Sequence, residues 1–196
     1  MMYPINEIFY SLQGEGRWAG RPAWFVRFSG CNLRCPFCDT NHSAREMMDA
    51  QAIIEAMKKY RADFVVLTGG EPALVVDEAL VNALHDAGKY IAIETNGTRP
   101  LPPGIDWITL SPKDLYVTNA KVVLPRANEV KVIFCDTDIP SLDDYAHYPA
   151  DYYYLQPCDM GNADRNKDNL AATVNYCFAH PQWSVSMQQH KIIGIR

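Results

Sequence analysis

No stretch of the chain approaches 18 uninterrupted apolar residues, so a membrane-spanning helix is not expected. There is no run of Lys and Arg and no basic helix, and the net charge is −5, which argues against nucleic acid as the main partner. The first residues, Met1 to Gly16, lack a positive region followed by an apolar core, so no secretory leader is expected. With no export signal, six cysteines point to reduced thiols and a metal role in a cytoplasmic protein rather than to disulfides. Internal repeats, low-complexity tracts and long linkers are also missing; the Pro-rich segment from Arg99 to Gly104 reads as a stiff loop. One domain spanning residues 1–196 is the expectation. At 196 residues the chain is short of the roughly 250 of a complete (β/α)8 barrel, yet 48% hydrophobic content allows a sizeable core.

What is present is concentrated in one stretch, Cys31-Asn-Leu-Arg-Cys35-Pro-Phe-Cys38-Asp39-Thr40. Three thiols at spacings of four and three fall within eight residues, and Cys135, Cys158 and Cys177 lie far downstream. A fully ligated iron–sulfur cube takes four cysteine thiolates. Three close thiolates can hold three irons and leave the fourth open to an outside ligand. Zinc is the plainer alternative, but no second Cys-x-x-Cys pair exists, so a zinc site would need His42 as a fourth ligand. Simple packing of small apolar side chains is the remaining alternative for so dense a group.

The rest of the chain alternates between strand-like and helix-like segments. Ile5–Tyr10 and Ala23–Phe28 read as strands, Phe64–Leu67 and Tyr90–Ile93 as buried strands, followed by Trp107–Leu110, Glu129–Phe134, Tyr152–Leu155 and Trp183–Met187. Helices are expected over Asp49–Tyr60, Asp77–Ala87, Ser141–Ala146 and Asn166–Ala179. Continuous apolar runs such as Phe64–Leu67 suit parallel strands covered on both faces. The pattern predicts an α/β fold with a mainly parallel sheet, and ligands in such folds sit beyond the carboxyl ends of the strands.

The unusual tetrapeptides all fall at that edge. Ser11-Leu12-Gln13-Gly14-Glu15-Gly16 is a turn whose glycines let backbone approach a ligand. Thr68-Gly69-Gly70-Glu71-Pro72 is a second such turn, with a carboxylate able to accept from an ammonium. Glu94 to Gly97 is a third, equally consistent with a plain strand-end turn. Arg27, a lone cation in a strand just before the cysteine loop, has the planar fork that clamps a carboxylate, or else faces solvent. Thr40 is able to join a magnesium shell alongside other oxygen donors.

The cysteine spacing, with an aromatic directly before the last cysteine, resembles the radical S-adenosylmethionine (SAM) superfamily. Leu12 to Gly16, Cys38-Asp39-Thr40, Thr68 to Pro72, Ser111-Pro112-Lys113 and Gln156-Pro157 in this order narrow the resemblance to its 7-carboxy-7-deazaguanine synthase family, over residue 5 to the end. The resemblance implies a truncated, partly open (β/α) barrel, a homodimer, a [4Fe-4S] cluster, SAM and Mg2+. It implies conversion of 6-carboxy-5,6,7,8-tetrahydropterin to 7-carboxy-7-deazaguanine with loss of ammonia, with a flavodoxin- or ferredoxin-type electron donor. Residue by residue, it implies that Cys31, Cys35 and Cys38 ligate the cluster and Thr40 the magnesium. Phe37, Cys38, Asp39, Gly70, Glu71, Ser111, Pro112, Lys113, Gln156, Pro157, Cys158 and Asp159 would surround SAM. Leu12, Gln13, Gly14, Arg27, Thr68 and Arg196 would contact the pterin. His42, His190 and Lys191 are expected to be structural.

Two other readings compete. A glycyl-radical activating enzyme shares the cysteine spacing but binds a partner protein and has no use for the Leu12–Gly16 turn. A non-catalytic zinc or iron–sulfur module would need the cysteines alone.

Overall fold

The computed structural model describes residues 1–41, 46–135 and 142–196. His42, and Ser141 at the head of an expected helix, lie outside the described residues. In chain order the elements are β1 Tyr3–Leu12, β2 Pro22–Phe28, β3 Glu46–Met48, α1 Ala50–Ala56, β4 Phe64–Gly69, α2 Glu78–Asp86 and β5 Tyr90–Thr95. Then come β6 Trp107–Leu110, β7 Glu129–Phe134, α3 Leu142–Ala146, β8 Tyr152–Pro157, α4 Ala163–Ala179, β9 Ser184–Val185 and α5 Gln189–Ile193. One nine-stranded sheet runs in the order β3-β1-β2-β4-β5-β6-β7-β8-β9. From β2 through β9 every neighbouring pair is parallel, while β1 runs antiparallel to both β2 and β3. Its two outer strands, β3 and β9, are not joined, so the sheet is a truncated, partly open barrel, as expected.

Alternation along the strands sorts the side chains into two sets, because successive residues point to opposite faces of a strand. On β2 and β4, Trp24, Val26, Phe28, Val65 and Leu67 face outward, where they pack with Ile53 of α1, with Met57 just after it, and with Leu80 and Leu84 of α2. Val130, Val132 and Leu155 do the same in a second core that includes Tyr176 and Cys177 of α4. Each of these fully buried apolar side chains contributes about 1.5–3 kcal/mol. The inward set begins with Ala23, Phe64, Val66, Ala92 and Trp107, packed against Trp18, Tyr90 and Tyr152. A continuous apolar run in the sequence is therefore two different surfaces in the fold.

Capping explains where the helices depart from expectation. Asp49 accepts from the Ala52 amide at 2.8 Å and starts α1, which ends at Ala56 rather than running to Tyr60. Asp77 caps α2 through Leu80. Asn162 accepts from Arg165, so α4 begins three residues before the expected Asn166. The expected last strand shrinks to Ser184–Val185, since Trp183 is drawn into the core edge-on to Tyr153. The edge strand β3 and the short helix α5 were not expected from the sequence.

Candidate active site

A cavity of about 820 Å³ opens at the carboxyl ends of the parallel strands. Its wall is built from the inward rows of those strands once the aromatic layer ends: Arg27, Thr68, Glu94, Lys131 and Gln156. Above them lie the loops that follow each strand.

The cysteine loop leaves β2 and is held by two neighbours. The amides of Gly70 and Glu71 donate to the carbonyls of Phe28 (3.0 Å) and Gly30 (2.9 Å), lacing the turn after β4 to the start of the loop. Only glycine fits at position 70, because a Cβ there would lie 1.8 Å from the Gly30 carbonyl oxygen. On the far side Asn32 donates to Thr98 at 2.8 Å and accepts from Asn96 at 3.1 Å. Phe37 stands edge-on to Tyr116 with ring centroids 5.0 Å apart. Cys31, Cys35 and Cys38 all line the cavity, the first two half-buried and the third exposed. Burial pushes the Cys31 and Cys35 thiols up, and the Lys113 ammonium opposes this at both.

The donor set fits an iron–sulfur cluster in chemistry and position. Three thiols project from one irregular loop into a cavity with room for more than the metal. Among the described residues no three His, Cys, Asp or Glu converge on a point where a single ion would sit. A cube takes each thiolate at a different corner, which three thiols lining one cavity from one loop can supply. For magnesium, the Thr40 hydroxyl lies 3.4 Å from Asp39 Oδ1, a pair of oxygen donors of the type that ion prefers.

Glu71 lines the cavity at 2% exposure, with both oxygens engaged. Oε1 accepts from the Thr95 hydroxyl (2.6 Å) and the Ala73 amide (3.0 Å), and Oε2 from the Asn96 amide (2.7 Å). It thus brackets the ends of β4 and β5, and burial raises its pKa despite those bonds. Arg27 is not on the outer surface. Its Nε donates to Glu7 at 2.8 Å and one terminal nitrogen lies 3.4 Å from Thr40 Oγ1, in the cavity wall. Lys113 donates to the carbonyl and hydroxyl of Ser111, both at 2.6 Å; burial lowers it to about 8 against the pull of Cys35 and Glu71.

Every residue singled out from the sequence for the site lines this cavity except Pro112, which is buried behind it. Several wall residues went unrecognised. Lys131, its side chain 4% exposed, bridges Glu15 at 2.5 Å and Glu94 at 2.8 Å, and Gln13 donates to Glu94 at 3.1 Å. Burial alone would raise Glu15, but the Lys131 charge outweighs it and holds the carboxyl down to about 2. Lys131 is correspondingly held above the ordinary lysine range by Glu15 and Glu94, overcoming its own burial. The available signal was a lone cation alternating with valines in Glu129-Val-Lys131-Val132.

The chain end also lies over the mouth. Gln189 donates its amide to the Gly14 carbonyl at 3.0 Å, and Gln188 donates to Glu15 at 2.9 Å. A Cβ at Gly14 would lie 2.2 Å from the His190 ring, so glycine there is what lets α5 sit down. Lys191 spans Asp159 (2.9 Å) and Asp39 (3.4 Å), and Arg196 pairs with Glu7. His190 lines the cavity and Lys191 ties its rim, so neither is remote from the site.

A thiol-lined cavity at the top of a partial parallel barrel is the architecture of the radical SAM proteins, and residues 25–123 match the Radical SAM superfamily. Full-length relatives named 7-carboxy-7-deazaguanine synthase include those of Bacteroides thetaiotaomicron, 52% identical with all of both chains covered, and Bordetella pertussis, 42% identical with the same coverage. The crystal structure of QueE from Escherichia coli superposes with a TM-score of 0.80 at 31% identity, covering 97% of this chain and 95% of that one. The chain belongs to the 7-carboxy-7-deazaguanine synthase family of radical SAM enzymes.

Proposed function

We propose that this enzyme converts 6-carboxy-5,6,7,8-tetrahydropterin to 7-carboxy-7-deazaguanine with loss of ammonia, in queuosine and deazapurine biosynthesis. The observation that carries this reading is the sharing of one cavity by three kinds of group: the cysteine loop, the Arg27 guanidinium, and the Lys131-bridged carboxylates Glu15 and Glu94. Family membership supplies the reaction, and this arrangement supplies a place for each part of the substrate.

Cys31, Cys35 and Cys38 would hold a [4Fe-4S] cluster, with SAM among Phe37, Asp39, Gly70, Ser111, Lys113 and the Gln156–Asp159 turn. When bound, the cluster and SAM supply one-electron chemistry that creates a carbon radical beside the substrate. The protein's share is position and exclusion. Arg27, steadied through Nε by Glu7, presents its remaining nitrogens to the substrate carboxylate; Asp39 and Thr40 offer oxygens to a magnesium ion at the same end. The amino and ring N–H groups of the pterin are donors, and they match acceptor oxygens on Glu15 and Glu94. Lys131 keeps the Glu15 carboxyl ionised and bonds Glu94 at 2.8 Å, so both acceptors are held in place without reorganisation. The Glu71 carboxylate ties the turns after β4 and β5 together, its backbone amide laces the same turn to the cysteine loop, and this fixes the carboxylate beside the SAM ammonium. Over the mouth, Gln188, His190 and Arg196 exclude water that would quench a radical.

The whole chain works as one unit, as a homodimer in the cytoplasm, receiving its electron from a flavodoxin- or ferredoxin-type donor. The test is anaerobic incubation with SAM, a reductant and carboxytetrahydropterin, followed by mass detection of 7-carboxy-7-deazaguanine. SAM cleavage with no product from the pterin would overturn the substrate assignment. Zinc alone, with no brown chromophore, would overturn the enzyme.

A further inference from the structure

Cys135 and Cys158 have no part in the reaction just described as cluster ligands, yet the fold sets them side by side. Cys135 directly follows β7 and Cys158 directly follows β8. These strands are parallel neighbours whose last paired residues are Phe134 and Pro157, and the Cys158 amide donates to the Phe134 carbonyl at 2.8 Å. The next residue on each strand is therefore a cysteine in register with the other. Laterally paired residues of neighbouring strands point to the same face, and strands lie about 4.7–4.9 Å apart. That separation falls inside the roughly 4.4–6.8 Å between Cα atoms that a disulfide requires. The two thiols interact with each other, and the Tyr116 hydroxyl, bonded to the Ile133 carbonyl at 2.5 Å, closes one side of the pair.

From this juxtaposition we infer that Cys135 and Cys158 are a redox-modifiable dithiol, which a small-molecule disulfide oxidises to an intramolecular bridge in the cavity wall. The order of events follows from exposure. Cys135 is half-buried and Cys158 is 6% exposed. The Cys135 thiolate attacks one sulfur of oxidised glutathione, forming a mixed disulfide and releasing one glutathione thiolate. The Cys158 thiol, which burial and the neighbouring Cys135 push up to about 12, then loses its proton as it attacks the Cys135 sulfur. The second glutathione leaves as a thiolate. Two cysteine thiols are oxidised to one disulfide, one glutathione disulfide is reduced to two thiols, and the two protons end on glutathione. Cys31, Cys35 and Cys38 are absent from this exchange while they carry the cluster.

The experiment uses enzyme with its cluster assembled without oxygen. It is treated with oxidised glutathione, denatured in an alkylating agent, and digested with chymotrypsin, which cuts at the tyrosines between the two cysteines. The expected result is a cross-linked pair of peptides joining Cys135 to Cys158 as the main species, with Cys177 alkylated. In Cys158→Ser the glutathione adduct should accumulate on Cys135, since nothing resolves it. A wild-type enzyme that keeps a glutathione adduct on Cys135, or leaves both thiols alkylated, overturns the assignment. The wild-type map decides the matter even where a variant folds poorly, and it needs no measurement of activity on the pterin.

Discussion

The two ends of the barrel interior are made from the same strands and have opposite characters. At the amino ends Phe64, Tyr90 and Trp107 meet Trp18, Tyr152 packs on Trp107, and Arg21 lays its guanidinium 4.2 Å from the centre of the Phe64 ring. At the carboxyl ends Arg27, Thr68, Glu94 and Lys131 face the cavity. One end excludes water by area, at about 150–250 Å² per aromatic side chain. The other keeps charges inside by pairing them, which is far more sensitive to a single change. Stability and chemistry are thus placed on opposite ends of shared strands, and mutations at the two ends should separate them.

The largest effect belongs to the cysteine loop. Cys31→Ala, Cys35→Ala and Cys38→Ala should each lose the cluster and all turnover, while Cys177→Ala, on α4 against the outer core, retains both. Iron and sulfide analysis of the four proteins is the check; normal cluster content in any of the first three would remove that cysteine from the site.

Next in size is Lys131→Met, which leaves Glu15 and Glu94 facing each other with no cation. Breaking a buried pair in this way costs about 3–5 kcal/mol, so denaturant midpoints should fall well below wild type. The pH profile carries the sign. The folded Glu15 carboxyl is held below its unfolded value of 4.5, so its contribution is complete above that value and is lost as pH falls toward about 2. In the variant burial prevails at Glu15 and raises it, so that acid loss should vanish and stability should instead rise as pH falls through the carboxylate range. A wild-type acid profile in Lys131→Met would show that the bridge does not hold Glu15 ionised.

Arg27→Lys should keep the cluster and still cleave SAM slowly, but a point charge cannot bond Glu7 and orient a carboxylate together. Product formation should drop by about two orders of magnitude, about 2.7 kcal/mol in transition-state positioning. The ratio of deoxyadenosine to deazaguanine decides it, and equal, tightly coupled yields in both enzymes would take Arg27 off the substrate.

The smallest change is expected at the opposite end. Phe64→Leu, at a fully buried ring, should lower stability by about 1 kcal/mol and leave SAM affinity unaltered. A weakened SAM affinity would mean that the aromatic end shapes the cavity after all.

Much of this molecule was readable from its residues alone. The cysteine spacing, the glycine turns at the strand ends and the apolar runs between them announce an α/β fold with chemistry at one edge. All are local patterns, carried by residues within a few positions of each other. Helix ends were less legible because single caps, Asp49, Asp77 and Asn162, set them. Glu71 was visible as a carboxylate in the right place, but its hold on Thr95 and Asn96 was not. Only the tertiary structure joined Lys131 to Glu15 across 116 residues and to Glu94 across 37, and laid α5 over the mouth through Gly14. It alone set Cys135 beside Cys158. The reason is physical: a strand's period tells which face a side chain takes, but its partner is chosen by the neighbouring strand, and sheet order is a property of the whole fold.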